Sequence, residues 1–342
     1  MVLLDDVLAS NAKISAALPP GLVAVFAGAT TGIGESTLKT FVRYAIKPRI
    51  YLMARSSPSA QRVISECKEI NPDADLHFVK VDLSFVKETD RACDEIKSRE
   101  KTVNVIVLSA GELLLDRQLT KEGLHHFLTA TYYTRLRIAQ NFIPQLETAS
   151  KTSPIARVLN VAGGTKEGEV DTTDLPALRM PFTRIRPHIT SMISLVFETL
   201  SDQAPTVSFI HDFPGAVPTP LGHETPGFLG MLYRIFMWTL KYPLYRWVCV
   251  PIKESGERHV YLATSARYPP REGNAVGVPL QGGTDVESGT DGGKGSGMYA
   301  VDWDCDNRSS SVVPVLDRLR KKGVKELVWE HTNGEFVRIA NS

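Results

Sequence analysis

Gly28-Ala29-Thr30-Thr31-Gly32-Ile33-Gly34 places three glycines within seven positions. Glycines let a backbone turn tightly and come close to a pyrophosphate, whose charge then rests on free amides at a helix N-terminus. That chemistry needs a strand before the loop and a helix after it. Residues 23–28 (VAVFAG) form a continuous apolar run closed by glycine, the pattern of a buried parallel strand. After the loop, Leu38, Phe41, Val42, Ala45 and Ile46 recur at helical spacing and make one apolar stripe.

The rest of the chain repeats that alternation. RIYLMA (49–54), LHFVKVD (76–82), VNVIVLSA (103–110), ARVLNVAG (156–163) and TVSFIHDF (206–213) read as strands, and MYAVDW (298–303) as a last one. Residues 59–70 read as a helix, roughly 121–147 as one long helix, and 187–203 as a helix with Ile189, Met192, Ile193, Val196 and Leu200 on one face. This rhythm predicts an α/β protein: a doubly wound, Rossmann-like parallel sheet of about seven strands with helices on both faces. A length of 342 residues suggests two domains at ~150 residues each. The strands run on without a linker, however, so the expectation is one domain over 1–342 with its core at 20–270. Residues 271–342 are expected to form a loop, rich in Gly, Ser and Asp over 281–297, followed by a C-terminal helical extension.

The stretch 227–252 is strongly apolar and approaches the ~20 residues that span a bilayer. Arg234, Lys241 and Arg246 interrupt it and Pro243 breaks its middle, which argues against a transmembrane span. A lid over a greasy pocket, covering 221–252, is the expectation, with peripheral contact to a membrane surface as the alternative.

Lys plus Arg (39) nearly equals Asp plus Glu (38), a balance that excludes a protein built on a strongly basic nucleic-acid-binding face. Cys67, Cys93, Cys249 and Cys305 are too few and too scattered for a disulfide framework or a thiolate metal site. The opening MVLLDDVLASNAK lacks the basic and apolar regions of a secretory signal, so a cytoplasmic setting is expected.

The spacing G-x-x-x-G-x-G resembles the short-chain dehydrogenase/reductase family, although Ala27 stands where that family usually has Thr. Further positions agree with the resemblance. Arg55 and Ser56 follow strand two, where the family carries an acid for NAD; a cation and a hydroxyl suit the 2′-phosphate of NADP(H) instead. Asp82 and Leu83 close strand three, where the family places an Asp near the adenine. Ser109, Ala110 and Gly111 stand at the family's Asn-Ala-Gly, which lets the backbone pass close to the cofactor. Pro214, Gly215, Val217 and Thr219 match the Pro-Gly-x-x-x-Thr beside the nicotinamide. The resemblance covers about 20–270 and implies NADP(H) held by Gly28, Thr30, Thr31, Gly32, Ile33, Gly34 and these later positions. It also implies a homodimer paired through the helices around strands four and five.

The catalytic pattern departs from the family. Members use Tyr-x-x-x-Lys with a Ser and an Asn, yet none of the ten tyrosines here has Lys four positions on. Counting back from Leu200 puts the Tyr and Lys positions at about Arg186 and Thr190, the Ser in Ala162-Gly163 and the Asn at Thr131. Reduction of a carbonyl still builds an alkoxide that must be protonated or stabilised. His188, Arg186, Tyr133 and Lys166 are the candidates to replace the missing relay, while His211 reads as a buried strand residue.

Tyr132-Tyr133-Thr134-Arg135, Gly164–Gly168, Glu254–Arg258 and Val328–His331 resemble a filamentous-fungal subgroup encoded among natural-product biosynthesis genes. That implies a small lipophilic substrate of polyketide or terpenoid type. The expected activity is an NADP(H)-dependent oxidoreductase with a non-standard proton relay. A redox-neutral cyclase or isomerase on the same scaffold is the alternative, and a non-catalytic NADP(H)-binding protein the lesser one.

Overall fold

The computed structural model describes residues 1–111, 117–220, 249–281 and 283–342. Seven strands form one parallel sheet in the order β3-β2-β1-β4-β5-β6-β7. They are β1 (Val23–Ala27), β2 (Arg49–Ala54), β3 (Asp75–Lys80), β4 (Val105–Leu108), β5 (Arg157–Val161), β6 (Ser208–Phe213) and β7 (Met298–Asp302). Strand order reverses between β1 and β4, and the crevice outside their carboxyl ends is where ligands bind in sheets of this kind.

The helices are α1 (Leu4–Asn11), α2 (Ile14–Ala17), α3 (Gly32–Tyr44), α4 (Ser57–Ile70), α5 (Val86–Arg99), α6 (His126–Leu128), α7 (Thr134–Asn141), α8 (Ile143–Thr152), α9 (Phe182–Gln203), α10 (Ile252–Thr264), α11 (Ser309–Lys321) and α12 (Val324–Ala340). Side chains alternate across the pleat, so β1 sends Val23, Val25 and Ala27 into one core and Ala24 and Phe26 into the other. Residues of α5, α7, α9 and α12 fill the first core; residues of α3, α4 and α10 fill the second.

Several expectations need correction. The single helix expected over 121–147 is broken into α6, a π-helical turn Thr129–Tyr133, α7 and α8. Phe142 leaves the helical region at φ −100° and ψ 4°, and Pro144 then opens α8. The apolar spacing continues through the break, so periodicity alone hides it. Helix α5 has no counterpart in the sequence reading: its inner face, Val86, Thr89, Ala92, Cys93 and Ile96, is thin, and the rest of it is mostly charged. Helices α1, α2 and α10 were likewise not anticipated. β7 lies beyond residue 270 yet pairs with β6, so the sheet extends into the segment expected as an extension. Of the expected lid at 221–252, residues 221–248 lie outside the described residues. Among the described residues, no helix is long and apolar enough to cross a membrane.

Candidate active site

The crevice at the switch point is built by glycine. Gly28 ends β1 at φ +85°, a left-handed conformation that L side chains rarely adopt, and a Cβ there would overlap the Ala110 backbone. A Cβ on Gly34 would overlap Ser109 Oγ and lie 2.7 Å from the Gly28 carbonyl oxygen. These two glycines therefore let the loop press against the end of β4. Helix α3 opens at Gly32 (φ +61°), and the side chain of its N-cap, Thr31, makes no capping hydrogen bond. The first-turn amides keep their N–H groups for an anion, with the positive end of the helix dipole behind them. Across the crevice, Thr219 Cγ2 stands 3.1 Å from where a Gly32 Cβ would be, so the loop and Pro214–Thr219 face each other.

Arg55 follows β2 directly and is exposed; Ser56 caps α4 by accepting the Ser59 N–H at 3.3 Å. Asp82 Oδ1 accepts the Ser84 N–H at 2.9 Å. Leu83 is 7% exposed, and its carbonyl accepts the Thr134 hydroxyl at 3.0 Å. The Ser109 hydroxyl is turned inward, donating to the Ala27 and Gly28 carbonyls at 3.2 and 3.3 Å. Its side chain secures the loop through these two bonds.

Arg62 was missed. Its Nη2 donates to the Thr30 carbonyl at 2.9 Å and to Glu35 Oε2 at 2.7 Å, which ties α4 to the outer edge of the glycine loop. Lys39 also bridges Glu35 and Glu66. The signal lay in two pairs at i, i+4 spacing, Glu35–Lys39 and Arg62–Glu66.

The four catalytic candidates divide into two pairs. Lys166 and Arg186 come together at the carboxyl end of β6: Lys166 Nζ lies 4.6 Å and Arg186 Cζ 4.8 Å from the centroid of the Phe213 ring. Both are cation–π contacts, immediately before Pro214-Gly215. Lys166 also donates to Asp302 Oδ2 at 2.9 Å, an oxygen shared with the Thr165 hydroxyl at 3.1 Å. Thr165 has φ +70°, a strained conformation for a β-branched residue, which the Asp302 bond holds in place. Burial lowers the Arg186 guanidinium, and Asp302 pulls in the opposite direction.

His188 and Tyr133 are not brought to this cluster. His188 is 1% exposed; its Nδ1 accepts the Asp171 N–H at 3.1 Å and its Nε2 meets the Leu175 carbonyl at 3.0 Å. Both ring nitrogens are spent on pinning the 171–175 loop to α9, and burial lowers the pKa, so the ring is a fixed neutral tautomer. Tyr133 is fully buried, bonds His331 Nε2 at 2.8 Å and has its hydroxyl pushed well above the usual range by burial. It belongs to the core beneath α12.

A Cβ on Gly163 would overlap Thr190 Oγ1, so the Thr190 hydroxyl, projecting from α9, fills that volume. Gly163→Ser is accordingly expected to cost about 1–3 kcal/mol of stability through overpacking. Adding Thr190→Ala should restore most of it. Unfolding midpoints of the single and double variants check this, and an unchanged single-variant midpoint contradicts it.

Below Gly163 runs a buried polar chain. The Gly163 N–H donates to His211 Nε2 at 3.2 Å, His211 Nδ1 meets Ser194 Oγ at 2.9 Å, and Ser194 donates to Glu167 Oε1 at 2.8 Å. Burial pushes the His211 imidazole down to about 3 from 6.5. Above pH 6.5 the ring is neutral in folded and unfolded chains alike. As the pH falls from there toward 3, only the unfolded chain gains the proton, and stability drops by up to about 1.4 kcal/mol per unit. Denaturant unfolding between about pH 5 and pH 7 should therefore show a steeper acid loss for the parent than for His211→Gln; parallel curves contradict it.

A parallel doubly wound sheet with a glycine loop opening a helix at its switch point defines the dinucleotide-binding α/β class. The short chain dehydrogenase model matches residues 22–170. An oxidoreductase from Emericella nidulans, AN1596, is 36% identical over 97% of both chains. Oxidoreductase andH from Emericella variicolor is 34% identical over 94% of this chain and 93% of its own. Among solved structures, L-sorbose reductase from Gluconobacter frateurii superposes with a TM-score of 0.53 at 17% identity, covering 78% of this chain and 97% of that one. The chain belongs to the short-chain dehydrogenase/reductase family of oxidoreductases.

Proposed function

We propose that the protein is an NADP(H)-dependent oxidoreductase acting on a carbonyl or enone of a small lipophilic substrate. One observation carries this reading. The glycine loop, the uncapped start of α3 and Arg55 line the carboxyl ends of the adjacent strands β1 and β2, a donor set suited to a pyrophosphate and a 2′-phosphate. When bound, NADP(H) supplies or accepts the hydride.

The chain's own contribution is charge at the other end of the crevice. Hydride addition leaves an alkoxide or enolate oxygen, and Arg186, which stays protonated, can hold that charge without giving up a proton. Lys166, with a 37% exposed side chain, can donate an ammonium proton to an alkoxide and recover one from solvent. The apolar stretch 227–252 in the sequence supports a lipophilic substrate.

The absent Tyr-x-x-x-Lys pair favours a second reading, a redox-neutral cyclase or isomerase in which the same cations steady an oxyanion. Turnover of lipophilic ketones and enones, followed with and without NADPH, separates the two. One NADPH oxidised per product is expected. Product formed at full rate without NADPH overturns the oxidoreductase reading.

A further inference from the structure

Arg135, on α7 just after the π-helical turn, is the most deeply hidden cation bordering the crevice, at 5% exposed. Its Nε donates to the Ala110 carbonyl at 2.7 Å, which Nη2 also reaches. Its Nη1 donates to the carbonyls of Leu108 (3.3 Å) and Val161 (2.7 Å) and to Asn160 Oδ1 (2.9 Å). Every one of these acceptors is a neutral oxygen. Among the described residues, no carboxylate forms an ion pair with it.

Such a charge is expensive to bury without a counter-ion. Burial pushes it down to about 9, which leaves it charged at neutral pH.

Its position supplies a use. Arg135 Nη2 lies 3.1 Å from where a Cβ on Gly111 would stand, so the charge lies directly behind the Gly111 backbone just beyond the end of β4. The surrounding groups do not cancel it. Lys166 and Arg186 add positive charge at the end of β6, His211 is held neutral, and Asp212 is engaged by His259 at 2.8 Å. Asp302 is shared between Lys166 and Arg308.

We propose that Arg135 makes the nicotinamide end of the crevice select the reduced cofactor. The ring of NADP⁺ carries a positive charge and that of NADPH does not, so a buried, uncompensated cation disfavours only the oxidised form. The inference rests on the NADP(H) reading above and adds a direction to it: the protein is set up as a reductase. Repulsion between two unit charges through an effective dielectric of ~20 is strong enough, over several ångströms, to change binding roughly tenfold or more.

Dissociation constants for NADPH and NADP⁺, measured by calorimetry on the full chain, test the inference without any substrate. The parent is expected to bind NADPH at least about tenfold more tightly than NADP⁺. Arg135→Lys should keep that preference, and Arg135→Met should lower the ratio of the two constants by about tenfold, chiefly by tightening NADP⁺. A parent ratio near one overturns the proposal whether or not the methionine variant folds. So does a folded Arg135→Met that weakens both nucleotides equally, the signature of a merely structural role. Failure of both nucleotides to bind the parent is a distinct result, which removes the cofactor reading and the inference together.

Discussion

Replacing Lys166 and Arg186 together by methionine is expected to lower kcat for carbonyl or enone reduction by about 10²–10³-fold, while the NADPH dissociation constant stays within about threefold. The two cations share the Phe213 ring at 4.6 and 4.8 Å, beside Pro214-Gly215 and away from the glycine loop. Their charge matters most when an oxyanion develops and little when the cofactor docks, so the loss should fall on kcat. Methionine keeps the apolar stems packed. The conservative pair Lys166→Arg with Arg186→Lys retains both charges and should recover much of the rate. Steady-state kinetics on the parent and the two double variants checks this, and a double methionine variant at parental kcat contradicts the assignment.

Gly34→Ala is expected to weaken NADPH binding by about 10²-fold or more, through loss of two or more charge-assisted hydrogen bonds at about 1.5–3 kcal/mol each. The added methyl would overlap Ser109 Oγ, sit 2.7 Å from the Gly28 carbonyl oxygen and 3.0 Å from Ala29 Cα. Only the first of these neighbours is a side chain. Ser109→Ala therefore cannot rescue the variant, because the loop backbone must still move and take the α3 amides with it. Titration of NADPH into the single and double variants decides the matter; rescue by Ser109→Ala would show that the backbone contacts are unimportant.

The sheet and the cofactor crevice were legible because their signals are local. A buried strand shows as an apolar run, as in β2, whose expected limits (49–54) match those observed. The glycine loop lies between two such signals, and its glycines sit where the backbone most needs them. The substrate end was legible only in part, because its pieces are far apart in the chain. Lys166 meets Asp302 across 136 residues, and Arg186 joins them through Phe213. Tyr133 and His188 looked reactive by residue type alone. What decided their roles was packing: Tyr133 is capped by His331, 198 positions away, and His188 by backbone groups of an irregular loop. Arg135 drew notice only as part of a resemblance, since nothing in a sequence marks an arginine that will be buried without a carboxylate.

The central claim is that a working NADP(H) crevice persists beside a rebuilt catalytic end. Calorimetric titration of the purified chain with NADPH and, separately, with NADH tests it most directly. One site per chain is expected, with NADPH at least about tenfold tighter than NADH because Arg55 adds a charge-assisted contact to the 2′-phosphate. Arg55→Ala should erase most of that difference. No saturable binding of NADPH, or equal affinity for the two nucleotides with Arg55→Ala indistinguishable from the parent, contradicts the claim.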